Sequence, residues 1–90
     1  MTHYRLRPIA WEEHGDAYWI AALPHGPTTL IDGAGLQVLT VFEEPGRTLT
    51  LDELITELRA VTIGMPDGIE KELSTYLITL TGLGILEVVQ

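Results

Sequence analysis

The chain has 90 residues, no cysteine and thirteen acids against five bases, a formal charge of −8. That length supports one small domain, residues 1–90, around one core. The missing cysteines exclude disulfides, thiolate metal sites and thiol nucleophiles, and the acidic surplus repels polyanions such as nucleic acid. An apolar content of 46% is enough for a core and argues against disorder. No apolar run approaches the ~20 residues of a membrane span. None of signal-peptide type follows Met1–Arg5. A cytoplasmic protein without a membrane partner is expected, and the absence of cysteine is compatible with a reducing compartment.

The aromatic residues come early: Tyr4, Trp11, Tyr18 and Trp19, with Phe42 and Tyr76 further on. Tyr4, Leu6 and Pro8 alternate with Arg5 and Arg7, which predicts a first strand. Glu12 to Asp16 are polar and end in the turn signal His14-Gly15-Asp16. Ala17–Leu23 reads as a second strand, apolar on both faces, and Pro24-His25-Gly26-Pro27 as a second turn. Thr28-Thr29-Leu30-Ile31 is a short third strand. Tight turns joining three strands predict an antiparallel meander of order 1-2-3.

Three helices follow. Asp32 is a good N-cap for a helix reaching about Glu44, with Ala34, Leu36, Val38, Leu39 and Phe42 as its apolar set and Pro45-Gly46 as its stop. Gly33 and Gly35 weaken its first turn and are read as close-packing positions. Thr50-Leu51-Asp52-Glu53 is a capping box with Leu49 and Leu54 as the hydrophobic staple, which starts a second helix reaching about Ala60 and burying Leu51, Leu54, Ile55 and Leu58. Asp67-Gly68-Ile69-Glu70 is read as another box, opening a third helix with Ile69, Leu73, Tyr76, Leu77 and Leu80 on one stripe. Gly82 is the expected left-handed cap, with Leu83 packing back on Leu77 or Ile78, and Ile85–Val89 a short strand or extended cover for the core. Three strands followed by three helices predict an α+β, winged-helix-like domain.

That topology raises the question of DNA, and charge argues against it. The outward face of the third helix carries Glu70, Lys71, Glu72, Ser74, Thr75, Ile78 and Thr79, with one base and nothing suited to reading base edges. Enzyme chemistry finds no better footing. His14 and His25 fall at opposite ends of a strand, Glu12 and Glu13 point to opposite faces, and Ser74 has no histidine near it in sequence. Gly33-Ala34-Gly35 lacks the third glycine and the basic residue of a phosphate loop. No catalytic residue, metal site or cofactor is expected.

A binding surface remains. In the expected meander the first strand is a blunted edge, because Pro8 cannot donate and Arg5 and Arg7 are charged. Thr28, Thr29, Leu30 and Ile31 carry neither defence and are open to a partner strand. Side-chain pockets would come from the third-helix flank bearing Lys71, Ser74, Thr75 and Ile78. Two readings of Ile78 stay open, a groove residue or one packed under Ile85-Leu86, and the strand itself could be too short to matter.

The succession Tyr4-Arg5-Leu6-Arg7-Pro8, Tyr18-Trp19-Ile20, Thr29-Leu30-Ile31-Asp32, Gly35-Leu36-Gln37-Val38-Leu39, Thr50-Leu51-Asp52-Glu53-Leu54 and Leu80-Thr81-Gly82-Leu83-Gly84-Ile85-Leu86-Glu87 resembles the PqqD-like family over nearly the whole chain. These are precursor-recognition domains for ribosomally made, post-translationally modified peptides. The resemblance implies a peptide chaperone rather than an enzyme. It implies that a precursor's leader segment adds as a strand beside Thr28–Ile31 and lies against the third helix. It also implies delivery to a separate modifying enzyme such as a radical-SAM enzyme, a cyclase or a leader peptidase. The alternatives are a winged-helix nucleic-acid binder or transcription accessory, and a structural homodimer in which Thr28–Ile31 pairs with its own copy.

Overall fold

A computed structural model describes residues 1–89, and the side chain of Ala34, expected in the apolar set of the first helix, also lies outside the described residues. The strands are β1 (His3–Leu6), β2 (Ile9–His14), β3 (Ala17–Ala22), β4 (Thr28–Asp32), β5 (Thr48–Leu49) and β6 (Leu86–Val89); the helices are α1 (Gly33–Val41), α2 (Leu51–Val61) and α3 (Ile69–Gly82). Among the described residues they form a small α+β domain with two antiparallel three-stranded sheets, ordered β5-β1-β6 and β2-β3-β4.

The first expected strand belongs to neither edge of the larger sheet. Residues 3–6 are instead the centre of the smaller one. Tyr4 sits opposite Leu49 and Val88, and Leu6 opposite Leu86, so the alternating apolar positions share one face. Arg5 lies on the other face opposite Glu87, and its Nε donates to Glu87 Oε1 at 2.7 Å. The strand that pairs with β3 is β2, in a register that sets Trp11 opposite Ile20 and Glu13 opposite Tyr18. Residues expected as a polar approach to a turn, Glu12 to His14, are therefore strand. They are polar because they occupy an exposed edge.

Helix starts follow side-chain chemistry closely in two cases. Asp32 caps α1, its Oδ1 accepting from Gly35 N–H at 3.1 Å. Thr50 and Glu53 close the capping box in both directions, Glu53 N–H to Thr50 Oγ1 at 3.2 Å and Thr50 N–H to Glu53 Oε1 at 2.9 Å. The staple residues Leu49 and Leu54 are both buried. The Thr50 backbone N–H, and then the Thr50 hydroxyl, hold the Glu53 carboxyl below its ordinary value by hydrogen bonding to its charged form. The third start differs from expectation. Gly68, at φ +79°, is the half-helical residue before α3 and offers no side chain. Asp67 then lies one position too early to cap, and Glu70 falls at the second helical position, where it cannot close a box.

Helix ends also shift. α1 stops at Val41 rather than near Glu44, and its last carbonyl accepts from Arg47 Nη1 at 3.1 Å. Arg47 Nη2 reaches Glu57 Oε1 at 2.6 Å, so one guanidinium ties the C-terminus of α1 to α2. Gly82 is the last residue of α3, and the left-handed position belongs to Gly84, at φ +79°. Ile85 N–H bonds Leu80 C=O at 3.0 Å and Gly84 N–H bonds Thr81 C=O at 3.1 Å, the paired bonds of a Schellman cap. That cap turns the chain so that Ile85 and Leu86 enter the core and β6 reaches β1.

One cluster holds the layers together. Ile20 and Ile31 from the larger sheet meet Val38, Leu39 and Phe42 of α1, Leu54 and Leu58 of α2, Leu73, Leu77 and Leu80 of α3, and Leu86 of β6. Each such side chain contributes on the order of 2 kcal/mol by leaving water. No helix among the described residues is long and apolar enough to cross a membrane.

Candidate functional site

β4 is an edge. Its register with β3 runs from Ala21 opposite Thr28 to Ala17 opposite Asp32, and no strand among the described residues pairs with its other side. Half of its backbone donors and acceptors therefore lack a strand partner. Thr29 and Ile31 turn toward the core, while Thr28 and Leu30 turn to solvent. Leu30 is 52% exposed and stands opposite Trp19, 41% exposed, so the outer face carries an apolar pair beside the edge.

The strand runs without a loop into α1, which places Asp32 at the junction. Three positions of α1 and its cap, Asp32, Gly35 and Val38, recur every three residues and form one wall of a groove. The opposite wall is the α3 stripe Ile69, Glu72, Leu73 and Tyr76, and the pocket between them measures about 300 Å³. Gly35 is what brings the walls together. A methyl group there would collide with the Tyr76 hydroxyl and with Ile31 Cγ2. Gly35 is thus the close-packing glycine expected from the sequence, whereas Gly33 faces open space. Burial, and then the negative charge of Asp32, push the Tyr76 hydroxyl above its ordinary 10.0, so it stays protonated at neutral pH.

The eight expected binding residues separate into two groups. Thr28, Thr29, Leu30 and Ile31 are at the edge. On α3, Lys71, Thr75 and Ile78 are exposed and Ser74 half-buried, but all four lie about 100° or more around the helix from Tyr76. None of them lines the pocket. Ile78 is 63% exposed, so it does not pack beneath Ile85-Leu86 either. Of the α3 residues that do face the groove, Ile69 and Tyr76 are half-buried against the core and Glu72 is exposed. Ile69 and Tyr76 were legible as part of the core stripe, and the available signal for the groove was the glycine in Asp32-x-x-Gly35-x-x-Val38.

A second cavity of about 270 Å³ lies under the β2 side of the larger sheet, where Ile9, Trp11, Tyr18 and Ile20 face Leu36 and Leu39 of α1. Trp11 and Tyr18 pack with ring centroids 5.4 Å apart. Glu12 and Glu13 sit opposite Trp19 and Tyr18 respectively, on different faces. No three acidic or histidine side chains among the described residues are grouped so as to hold a metal ion.

Compared with known proteins, the chain matches no family model, no curated protein and no solved structure.

Proposed function

We propose that this domain is a non-enzymatic peptide-binding adaptor. It takes the leader segment of a ribosomally made precursor peptide as an added strand on β4 and presents it to a separate modifying enzyme of the radical-SAM, cyclase or leader-peptidase type. The observation that carries this reading is the β4 edge: four uncharged residues, unpaired on one side, ending at an apolar pocket between α1 and α3. Main-chain bonds to such an edge supply affinity, and a pocket beside it supplies choice among side chains.

The resemblance to the PqqD-like family names the occupant, and we read the larger sheet with its three helices as winged-helix-like in the same sense. The helix side of the groove is assigned to Ile69, Glu72 and Tyr76 in place of Lys71, Ser74, Thr75 and Ile78, because the former line the pocket that adjoins the edge.

The test is titration of the full chain with the leader of a precursor peptide encoded beside its gene. Saturable binding by a one-to-one isotherm, unaccompanied by self-association, is expected. No heat and no shift would overturn this reading, and a dimer that persists through the titration would replace it by a homodimer paired through β4.

A further inference from the structure

The pocket beside β4 has a charge as well as a shape. Its floor is Val38, Ile69 and Leu73, its rim carries the carboxylates of Asp32 and Glu72, and no basic side chain lines it. The starts of α1 and α3 lie close by and contribute about half a positive charge each, which two full carboxylates outweigh. One oxygen of Asp32 is occupied by the Gly35 N–H. Glu72 makes no ion pair among the described residues, whose bridges are Arg5–Glu87, Arg47–Glu57 and Arg59–Glu70.

An apolar floor under an acidic rim fits one kind of side chain. A lysine or arginine lays its hydrocarbon stem on apolar surface and holds its charged head at the edge. A purely apolar side chain would cover the carboxylates without pairing them, at a desolvation cost. An acidic one would be repelled. We propose that the pocket receives a lysine or arginine of the strand-adding peptide, set just beyond the stretch that pairs with β4. Its head lies between Asp32 and Glu72 and its stem against Val38, Ile69 and Leu73. The partner is thus a segment in which an uncharged, strand-forming run is bounded by a basic residue. The chain's net charge of −8 favours encounter with the same segment. This inference rests on strand addition at β4.

A random peptide display library panned against the full chain, followed by amide-shift mapping of enriched peptides, tests both levels separately. Enriched sequences are expected to carry lysine or arginine at one fixed position relative to a β-branched or aromatic run, and to shift the amides of Thr28–Ile31. Asp32→Asn keeps an N-cap, since asparagine caps as well as aspartate. Glu72→Gln changes an exposed helical position. Each should weaken the basic peptides about fivefold, the scale of a partly exposed ion pair, and should not weaken a norleucine-substituted peptide, whose desolvation cost it relieves. Peptides that shift β4 without basic enrichment, or that bind both variants at full strength, would overturn the pocket assignment while strand addition stands. Enriched peptides that leave β4 silent, or no enrichment at all, would overturn both.

Discussion

The two edges of the larger sheet present the same unpaired backbone and treat it in opposite ways. β2 is exposed over Ala10–His14 and carries Glu12, Glu13 and His14, with Pro8 just ahead of it. Charges and proline at an edge are the usual defences against a stray partner strand. β4 also has a proline just ahead of it, Pro27, but it carries no charge between Thr28 and Ile31, displays Leu30 there and meets its first carboxylate only at its last residue, Asp32. The defence expected from Arg5, Arg7 and Pro8 on a first edge strand is supplied by β2, because β1 is the middle of the other sheet. The two edges thus differ in charge: β2 carries it along its exposed length, and β4 carries none before Asp32.

Proline substitution gives the largest separation between the edges. Residues of an antiparallel strand alternate between pairing inward and facing out. Of the neighbours Thr29→Pro and Leu30→Pro, one should destabilise the fold and the other should stay folded yet lose peptide binding altogether, read by circular dichroism and titration calorimetry. Proline at Glu12 or Glu13 should leave binding unchanged in whichever variant remains folded. Equal loss from both edges would erase the distinction.

The groove wall is the next test. Gly35→Ala forces a methyl against Tyr76 and Ile31 and should cost about 1–3 kcal/mol of unfolding free energy, as overpacking does. Gly33→Ala, in open space two residues earlier, should gain up to ~1 kcal/mol. Denaturant midpoints of the two variants should therefore move in opposite directions.

The cap on α2 supplies a smaller effect away from the edge. Thr50→Ala should cost about 1 kcal/mol with binding intact. Because Glu53 titrates lower in the folded chain than in the unfolded one, its contribution is present above the ordinary carboxylate value of 4.5 and fades as pH falls through the depressed one. The stability difference between the unsubstituted chain and Glu53→Gln should shrink over that acidic interval. The smallest expected change is at Ile78. Ile78→Asp, on the side of α3 away from Tyr76, should move stability by less than about 0.5 kcal/mol and leave peptide binding alone.

What the sequence made legible was local. The box at Thr50 and Glu53, the staple at Leu49 and Leu54, the cap at Asp32 and the buried stripe Leu73, Leu77, Leu80 all depend on residues within a few positions of one another. The smaller sheet does not. β1 pairs with residues 48–49 and 86–89, and nothing near Tyr4 signals those distant partners. Adjacent strands in sequence usually neighbour each other in space, and that regularity misled the placement of the first strand. β2 was obscured for a different reason: on an exposed edge a polar strand looks like a turn. The groove was half legible. Thr28–Ile31 stood out by lacking charge, whereas the α3 flank depends on how the helix is rotated, which Gly35 and Tyr76 decide through a contact about forty residues apart.

Amide hydrogen exchange of the full chain, with and without a saturating precursor leader, tests strand addition most directly. New protection is expected at alternate residues within Thr28–Ile31, where the outward N–H groups acquire partners, with no change along Glu12–His14. Protection gained on β2, or spread evenly over the chain with no alternation on β4, would contradict strand addition.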